Sequence, residues 1–268
     1  MAIKTKISWT DSTWNPWKGC NKVSKACEGC YMDRAMTRDG QNSKVVVKQD
    51  AEFNRPSQWI SGRKIFTCSM SDFFHHAADE WRDEAWEVIK NTPQHTYLIL
   101  TKRPERIKEH LPEDWCKENY SHVWLGVTVE HQETVHRIHT LGEIPCKIRW
   151  VSFEPLFGEV FLTDRELSII QWGVIGGMSG YNTGPFKYEK TEKTWFLSLM
   201  YQLRSYKIPI FFKQFGTYYH DYEFKVKDWS GENYCENYPD IFKIRQYPIY
   251  RYGEKEINYL NGKKYGND

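Results

Sequence analysis

Short apolar runs rich in β-branched residues recur along the chain, each ending abruptly in polar or glycine residues and followed by a segment of helical periodicity. Six are legible: Lys64–Cys68, Thr96–Leu100, Val123–Val127, Lys147–Val151, Trp172–Ile175 and Pro209–Phe212. Each is too short for a helix and apolar on successive positions, which predicts strands buried on both faces. Between them, Glu80–Asn91, Glu105–Leu111, Gln132–Leu141 and Lys190–Tyr206 repeat apolar residues at helical spacing and are predicted as amphipathic helices. Successive strands lie about 25 to 37 residues apart, an interval that suits βαβ crossovers and a parallel sheet. The expected fold class is therefore α/β, a partial or complete parallel (β/α) barrel of about six or seven strands.

A further strand ending near Trp17 would put the loop that follows directly after strand one, with a helix Met32–Thr37 behind it. Pro16 counts against a central strand there. From Tyr218 onward the apolar periodicity fades into Tyr, Lys, Asp and Asn. The expected organisation is a barrel domain over 1–217 and a peripheral C-terminal extension over 218–268, with Asn261–Asp268 disordered.

Polar residues gather at the carboxyl ends of the predicted strands. Ser69-Met70-Ser71-Asp72 follows the first clear strand, then Thr101-Lys102-Arg103-Pro104-Glu105 and Thr128-Val129-Glu130. Ser152-Phe153-Glu154-Pro155, Gly176-Gly177-Met178-Ser179-Gly180 and Lys213-Gln214-Phe215-Gly216 complete the series. In parallel α/β barrels the active site is built on this face. The Gly176-Gly177 turn either cradles an anion with backbone amides or is a plain strand-to-helix turn. Glu154 either holds a ligand amine or ribose, or forms a salt bridge to Arg103 or Lys213. His75-His76 beside Asp72 resembles a metal corner, but solvated or capping roles are the favoured reading, because neighbouring histidines point apart on most backbones.

Composition narrows the partners. The 268 residues carry 37 Lys plus Arg against 35 Asp plus Glu, so no global basic field argues for strong non-specific nucleic-acid binding. A local basic groove is compatible with that balance. Aromatic residues make up 16%, including 12 Trp and 17 Tyr, enough to fill a core and still leave rings for stacking on flat ligands. The amino terminus lacks the apolar run of a signal peptide, and no stretch reaches the length needed to span a bilayer.

Three of the seven cysteines, Cys20, Cys27 and Cys30, crowd into one short loop. Such a set suggests a soft-metal or iron–sulfur site, and the odd total fits a reducing cytosol better than a disulfide framework. A structural zinc site normally takes four protein ligands, whereas three thiolates on a four-iron cluster leave one iron open. The scattered Cys68, Cys116, Cys146 and Cys235 read as small buried hydrophobes.

Several phrases carry a resemblance: Ile7-Ser8-Trp9-Thr10-Asp11-Ser12-Thr13-Trp14-Asn15-Pro16-Trp17, the C-x6-C-x2-C-Tyr loop, Thr101-Lys102-Arg103-Pro104-Glu105-Arg106, Trp124-Leu125-Gly126-Val127-Thr128-Val129-Glu130 and Phe211-Phe212-Lys213-Gln214-Phe215-Gly216. Together they resemble the phage-associated three-cysteine-motif protein family, regarded as radical-SAM-like, over residues 7 to 217. The resemblance implies a barrel of the radical SAM type. It further implies that Cys20, Cys27 and Cys30 ligate a [4Fe-4S] cluster whose open iron chelates S-adenosylmethionine. Two features depart from the pattern. The first cysteine gap is three residues longer than the usual C-x3-C-x2-C, and Met178 stands where a Glu is expected in a Gly-Gly-Glu-Ser-Gly stretch.

On this resemblance, one electron from the cluster cleaves the cofactor to methionine and a 5′-deoxyadenosyl radical, which abstracts hydrogen from substrate. Tyr31, Ser69, Asp72, Thr101, Lys102, Glu130, Ser152, Glu154, Gly176, Gly177 and Lys213 are the candidates for binding cofactor and substrate. An electron donor such as flavodoxin or ferredoxin is implied, in the cytoplasm of a bacterial host. The phage setting, the aromatics and the cations at the open face suggest a nucleobase, nucleotide or DNA as substrate, for modification or repair. The alternative is a zinc-stabilised nucleic-acid-binding or structural module, in which Cys68, His75 or His76 completes the ligand set.

Overall fold

The computed structural model describes residues 5–224 and 238–248, together with the strands Tyr250–Tyr252, Lys255–Leu260 and Lys263–Tyr265. Cys235 and most of Asn261–Asp268 lie outside the described residues.

Seven parallel strands form one sheet in sequence order: β1 (Ser12–Trp14), β2 (Lys64–Thr67), β3 (Thr96–Thr101), β4 (Val123–Thr128), β5 (Ile148–Phe153), β6 (Trp172–Gly176) and β7 (Ile210–Gln214). The sheet stays open between β1 and β7, so the fold is a partial parallel (β/α) barrel. Helices α1 (Tyr31–Arg38), α2 (Asp79–Lys90), α3 (His136–Gly142), α4 (Asp164–Ile169) and α5 (Lys193–Ser205) occupy the crossovers.

Most strands run one or two residues past their predicted ends, because the ladder continues through polar side chains. Thr101 pairs with Val127 and Thr128 with Ser152. Backbone amides satisfy one another regardless of what the side chain is. The first strand stops at Trp14, short of Pro16; Trp17 and Lys18 pair instead with Lys48 and Val47 in a small antiparallel ribbon. The helix expected over Glu105–Leu111 is two 3-10 turns, Pro104–Arg106 and Lys108–His110. Trp86 captures the His110 carbonyl at 2.9 Å from outside the turn. Gln132–Leu141 likewise divides into a 3-10 turn, Gln132–Thr134, and α3, with the Thr134 hydroxyl donating to the His131 carbonyl at 2.8 Å.

Alternation along each strand sorts side chains into two layers. Tyr97, Ile99, Val123, Leu125 and Val127 face the helices in the main core. Leu98, Trp124, Trp150, Trp172 and Phe211 face inward, where Trp9 closes over them. The Trp9 and Trp150 rings lie 5.2 Å apart and the Trp150 and Trp172 rings 5.3 Å apart, so tryptophan plugs the lower barrel. Gly126 makes room for this: a Cβ there would sit 2.4 Å from the Trp150 indole.

Residues 238–248 cover the β7 edge, with Phe212 donating its amide to Ile244 and Gln246 to Ile210. Tyr238 and Phe242 are buried against Phe212 and Phe215, while Tyr247 stacks on Trp172 at 5.3 Å. Lys263–Tyr265, within the stretch expected to be disordered, is a strand. No helix among the described residues is long and apolar enough to cross a membrane.

Candidate functional site

Because strand parity alternates, the inward positions above the tryptophan plug are the polar ones: Thr128, Ser152, Glu154 and Lys213 continue the rows of Trp124, Trp150 and Phe211. They line a cavity of about 470 Å³ with Trp9, Phe66 and Leu100 among its apolar lining residues. That volume falls in the range of small-molecule sites, roughly 300–1,000 Å³.

Cys20, Cys27 and Cys30 all line the same cavity. The loop that carries them is held by side chains from three strand ends. Arg103, buried after β3, donates to Asp72 at 3.0 Å, to the Asn21 carbonyl at 2.8 Å and to the Cys20 sulfur at 3.5 Å. Asp72 also accepts from the Thr101 hydroxyl at 2.7 Å and from the amides of Lys102 and Phe74 at 3.1 and 3.0 Å. Farther along the loop, the Ser24 hydroxyl donates to Glu130, whose other oxygen pairs with Arg137 at 2.7 Å. Two buried ion pairs therefore anchor the long segment between the first two cysteines. Cys27 ends a 3-10 turn and Cys30 is the residue before α1, whose Tyr31 hydroxyl donates to the Ser69 carbonyl.

Of the residues expected at the site, Tyr31, Ser69, Asp72, Thr101, Lys102, Ser152, Glu154, Gly177 and Lys213 line the cavity with the three cysteines. Glu130 and Gly176 do not. Glu130 lies behind the wall, fully buried on Arg137, and acts on the loop through Ser24. Gly176 stands behind Glu154, where an added Cβ would come within 3.0 Å of the carboxyl carbon. Glu154 forms the salt bridge with Lys213, at 2.7 and 2.9 Å, and also accepts from Gln214; Arg103 is taken by Asp72 instead. Gly177 is required by the backbone, since its Cβ position lies 2.1 Å from the Phe215 carbonyl oxygen. Met178 reaches the cysteine loop, its methyl 2.1 Å from the Cβ position of Gly29.

His75 has the capping role: its Nδ1 accepts from the Ala77 amide at 3.1 Å. Its ring does not point away from His76 but stacks on it at 4.4 Å, an arrangement that the turn beginning at His76 imposes. Burial lowers its pKa to about 4, assisted by Arg103. Burial likewise pushes the Cys20 thiol up to about 11, against the lowering pull of Arg103, and raises Cys68.

Sequence reasoning passed over Arg137, Ser24, Lys6 and Arg34. Arg137 lies in a predicted helix, where a surface charge is the ordinary reading. The invariably polar strand ends gave the only signal for Arg103 beyond its motif.

Among the described residues no three His, Cys, Asp or Glu side chains converge as they would on a single ion. A zinc ion holds four donors on one centre at about 2.0 to 2.3 Å. A four-iron cluster places each thiolate on its own iron, so its ligands stand farther apart around a shared space. The three loop thiols around a shared space match the donor set of such a cluster, and Cys68, buried on the same cavity, is the thiol that a four-ligand ion would add.

The profile of a family described as "Protein of unknown function (DUF5131)" matches residues 4–258. The chain belongs to the DUF5131 family. No match was found among curated proteins. Among solved structures, this DUF5131 chain is similar to a spore photoproduct lyase complexed with dinucleoside spore photoproduct. The two share 11% identity over 77% of this chain and 75% of the other, with a TM-score of 0.50. At that identity the match speaks to the fold alone, a partial parallel (β/α) barrel.

Proposed function

We propose that this protein is a radical S-adenosylmethionine enzyme in which Cys20, Cys27 and Cys30 hold a [4Fe-4S] cluster. The observation that carries the reading is the meeting of the three loop thiols, with Cys68 beside them, and the polar strand ends on one cavity at the barrel mouth. When bound, cluster and S-adenosylmethionine supply a 5′-deoxyadenosyl radical that abstracts hydrogen from substrate.

The protein's own residues prepare the space. Arg103 and Glu130 anchor the two ends of the long cysteine gap, so the thiols are presented by a braced loop rather than a free one. Arg103 aims a hydrogen bond at the Cys20 sulfur, an interaction of the kind that shifts cluster potential. Glu154, charge-balanced by Lys213 and bonded to Gln214, presents a carboxylate for a ligand amine or hydroxyl. Trp9, Phe66 and Leu100 keep the lower wall dry, which protects a reactive intermediate from solvent. A nucleobase, nucleotide or DNA in a phage setting is the proposed substrate; the solved neighbour is complexed with dinucleoside spore photoproduct. A flavodoxin- or ferredoxin-type donor in the cytoplasm would supply the electron.

Anaerobic reconstitution tests the reading. A brown protein with about four iron and four sulfide per chain is expected, and dithionite with S-adenosylmethionine should release 5′-deoxyadenosine. A colourless protein holding stoichiometric zinc and refusing a cluster would favour the structural module and overturn the enzyme.

A further inference from the structure

Five cations line the cavity against two carboxylates. Two of the cations are neutralised locally, Arg103 by Asp72 and Lys213 by Glu154. The remaining three, Lys6, Arg34 and Lys102, take part in no ion pair among the described residues. The proposed cofactors do not consume this excess. A [4Fe-4S]²⁺ core with three thiolates and S-adenosylmethionine with its sulfonium, ammonium and carboxylate together carry no net charge. The surplus therefore faces the substrate, and the chemistry that it selects is anionic.

A second observation identifies the flat part of that ligand. The Arg34 guanidinium lies 4.9 Å over the ring of Tyr181, and Tyr181 is 53% exposed. Arg34 thus belongs at once to the cavity wall and to an exposed aromatic platform. An adjacent run carries more rings: Tyr188 packs on Tyr218, which lies beside the exposed Tyr222 and under Lys190, itself paired with Glu192 at 3.2 Å. Exposed rings on a rim that adjoins the unpaired cavity cations suit a single strand, whose unstacked bases lie on aromatic faces while its phosphates meet the charges.

We infer that the cavity takes a nucleotide unit of a single-stranded nucleic acid, with Lys6, Arg34 and Lys102 meeting its own and the neighbouring phosphates and Tyr181 stacking a neighbouring base. This rests on the proposed reading of the cavity as a reaction site and narrows its substrate. A duplex would keep its bases stacked and paired, away from Tyr181. A free nucleobase or nucleoside would leave the three cations unanswered, and an acidic peptide would not use the ring.

Fluorescence anisotropy of the reconstituted protein with a short labelled oligothymidylate tests the inference. Wild type should bind with a log–log salt slope near −2, from about −0.7 for each phosphate met on a single strand. Arg34→Gln and Lys102→Gln should each flatten the slope by about 0.7, and Tyr181→Ala should weaken binding at least about fivefold. Lys117→Gln, at an exposed site away from the cavity, should change neither. Equal competition by polyglutamate, tighter binding of the matching duplex, or an unchanged slope in folded variants would overturn the inference. Wild-type salt dependence needs no variant, so it decides even if a substitution unfolds the chain. Iron and sulfide counted on the same sample separate the two readings: a loaded cluster without oligonucleotide binding refutes the nucleotide, and binding without a cluster refutes the enzyme.

Discussion

The guanidinium of Arg103 lies 3.5 Å from the sulfur of Cys20, held there by the Asp72 carboxylate at 3.0 Å and the Asn21 carbonyl at 2.8 Å. It links the carboxyl end of β3 to the start of the cysteine loop, so the strand that forms the barrel also sets where the first thiol stands. Arg103→Leu should leave Asp72 charged and buried beside an unmatched carbonyl, at a cost of about 3–5 kcal/mol. The measurement is the urea midpoint, and iron content after reconstitution should fall with it. A midpoint equal to wild type would show that the pair does not brace the loop.

The second brace is separable. Ser24→Ala removes only the hydroxyl that joins the loop to Glu130 and should cost about 1 kcal/mol. Glu130→Leu strands Arg137 in the core and should cost about 3–5 kcal/mol. Chemical denaturation of the two variants side by side would reveal the difference, and similar losses would mean that the Arg137 pair is not the source.

Within the loop, Cys27→Ala should abolish both the brown colour and 5′-deoxyadenosine release, because three thiolates are the minimum for the proposed cluster. Cys116→Ser, at a site remote from the cavity wall, should retain both. Absorption spectra and product chromatography on the two proteins decide the matter.

Acid should weaken the fold through His75. Its folded pKa is about 4, against an ordinary value of 6.5, because burial and Arg103 disfavour the imidazolium. The neutral ring is the native form, and protonation would also remove the acceptor for the Ala77 amide. Stability is therefore full above about pH 6.5 and declines as pH falls toward 4, where the unfolded chain binds the proton first. His75→Asn can keep the cap and has no titration, so its unfolding midpoint should depend less on pH across that window. A parallel decline in both proteins would assign the acid sensitivity elsewhere.

Gly126→Ala tests the tryptophan plug. The new methyl would meet the Trp150 indole at 2.4 Å in a close-packed barrel, with an expected loss of about 1–3 kcal/mol. Thermal unfolding reads it directly, and no loss would mean that the plug can shift.

How much of this was legible depends on whether the signal is local. Strands such as Val123–Thr128 announce themselves because a ladder buried on both faces demands consecutive apolar residues. The predicted ends fell short at Thr101 and Thr128 because backbone pairing is indifferent to a hydroxyl. The two 3-10 turns after Pro104 were read as one helix because Trp86, which captures the His110 carbonyl, comes from a separate element. At the site, the residues lining the cavity came mainly from strand ends and could be named from the pattern. Arg34 could not, since its role depends on Tyr181, far away along the chain.

By itself the sequence determined the parallel α/β architecture, the crowding of three cysteines in one loop and the polar character of the strand ends, all of which follow from periodicity and spacing within a few residues. Only the tertiary structure decided that Arg103 turns to Cys20 rather than to Glu154, that Glu130 braces the loop from behind the wall, and that three cations are left facing the cavity. Those choices depend on which charges become neighbours after the sheet curls. In a buried site each carboxylate takes the cation whose geometry and remaining hydrogen bonds best offset desolvation, a competition settled across strands rather than along them.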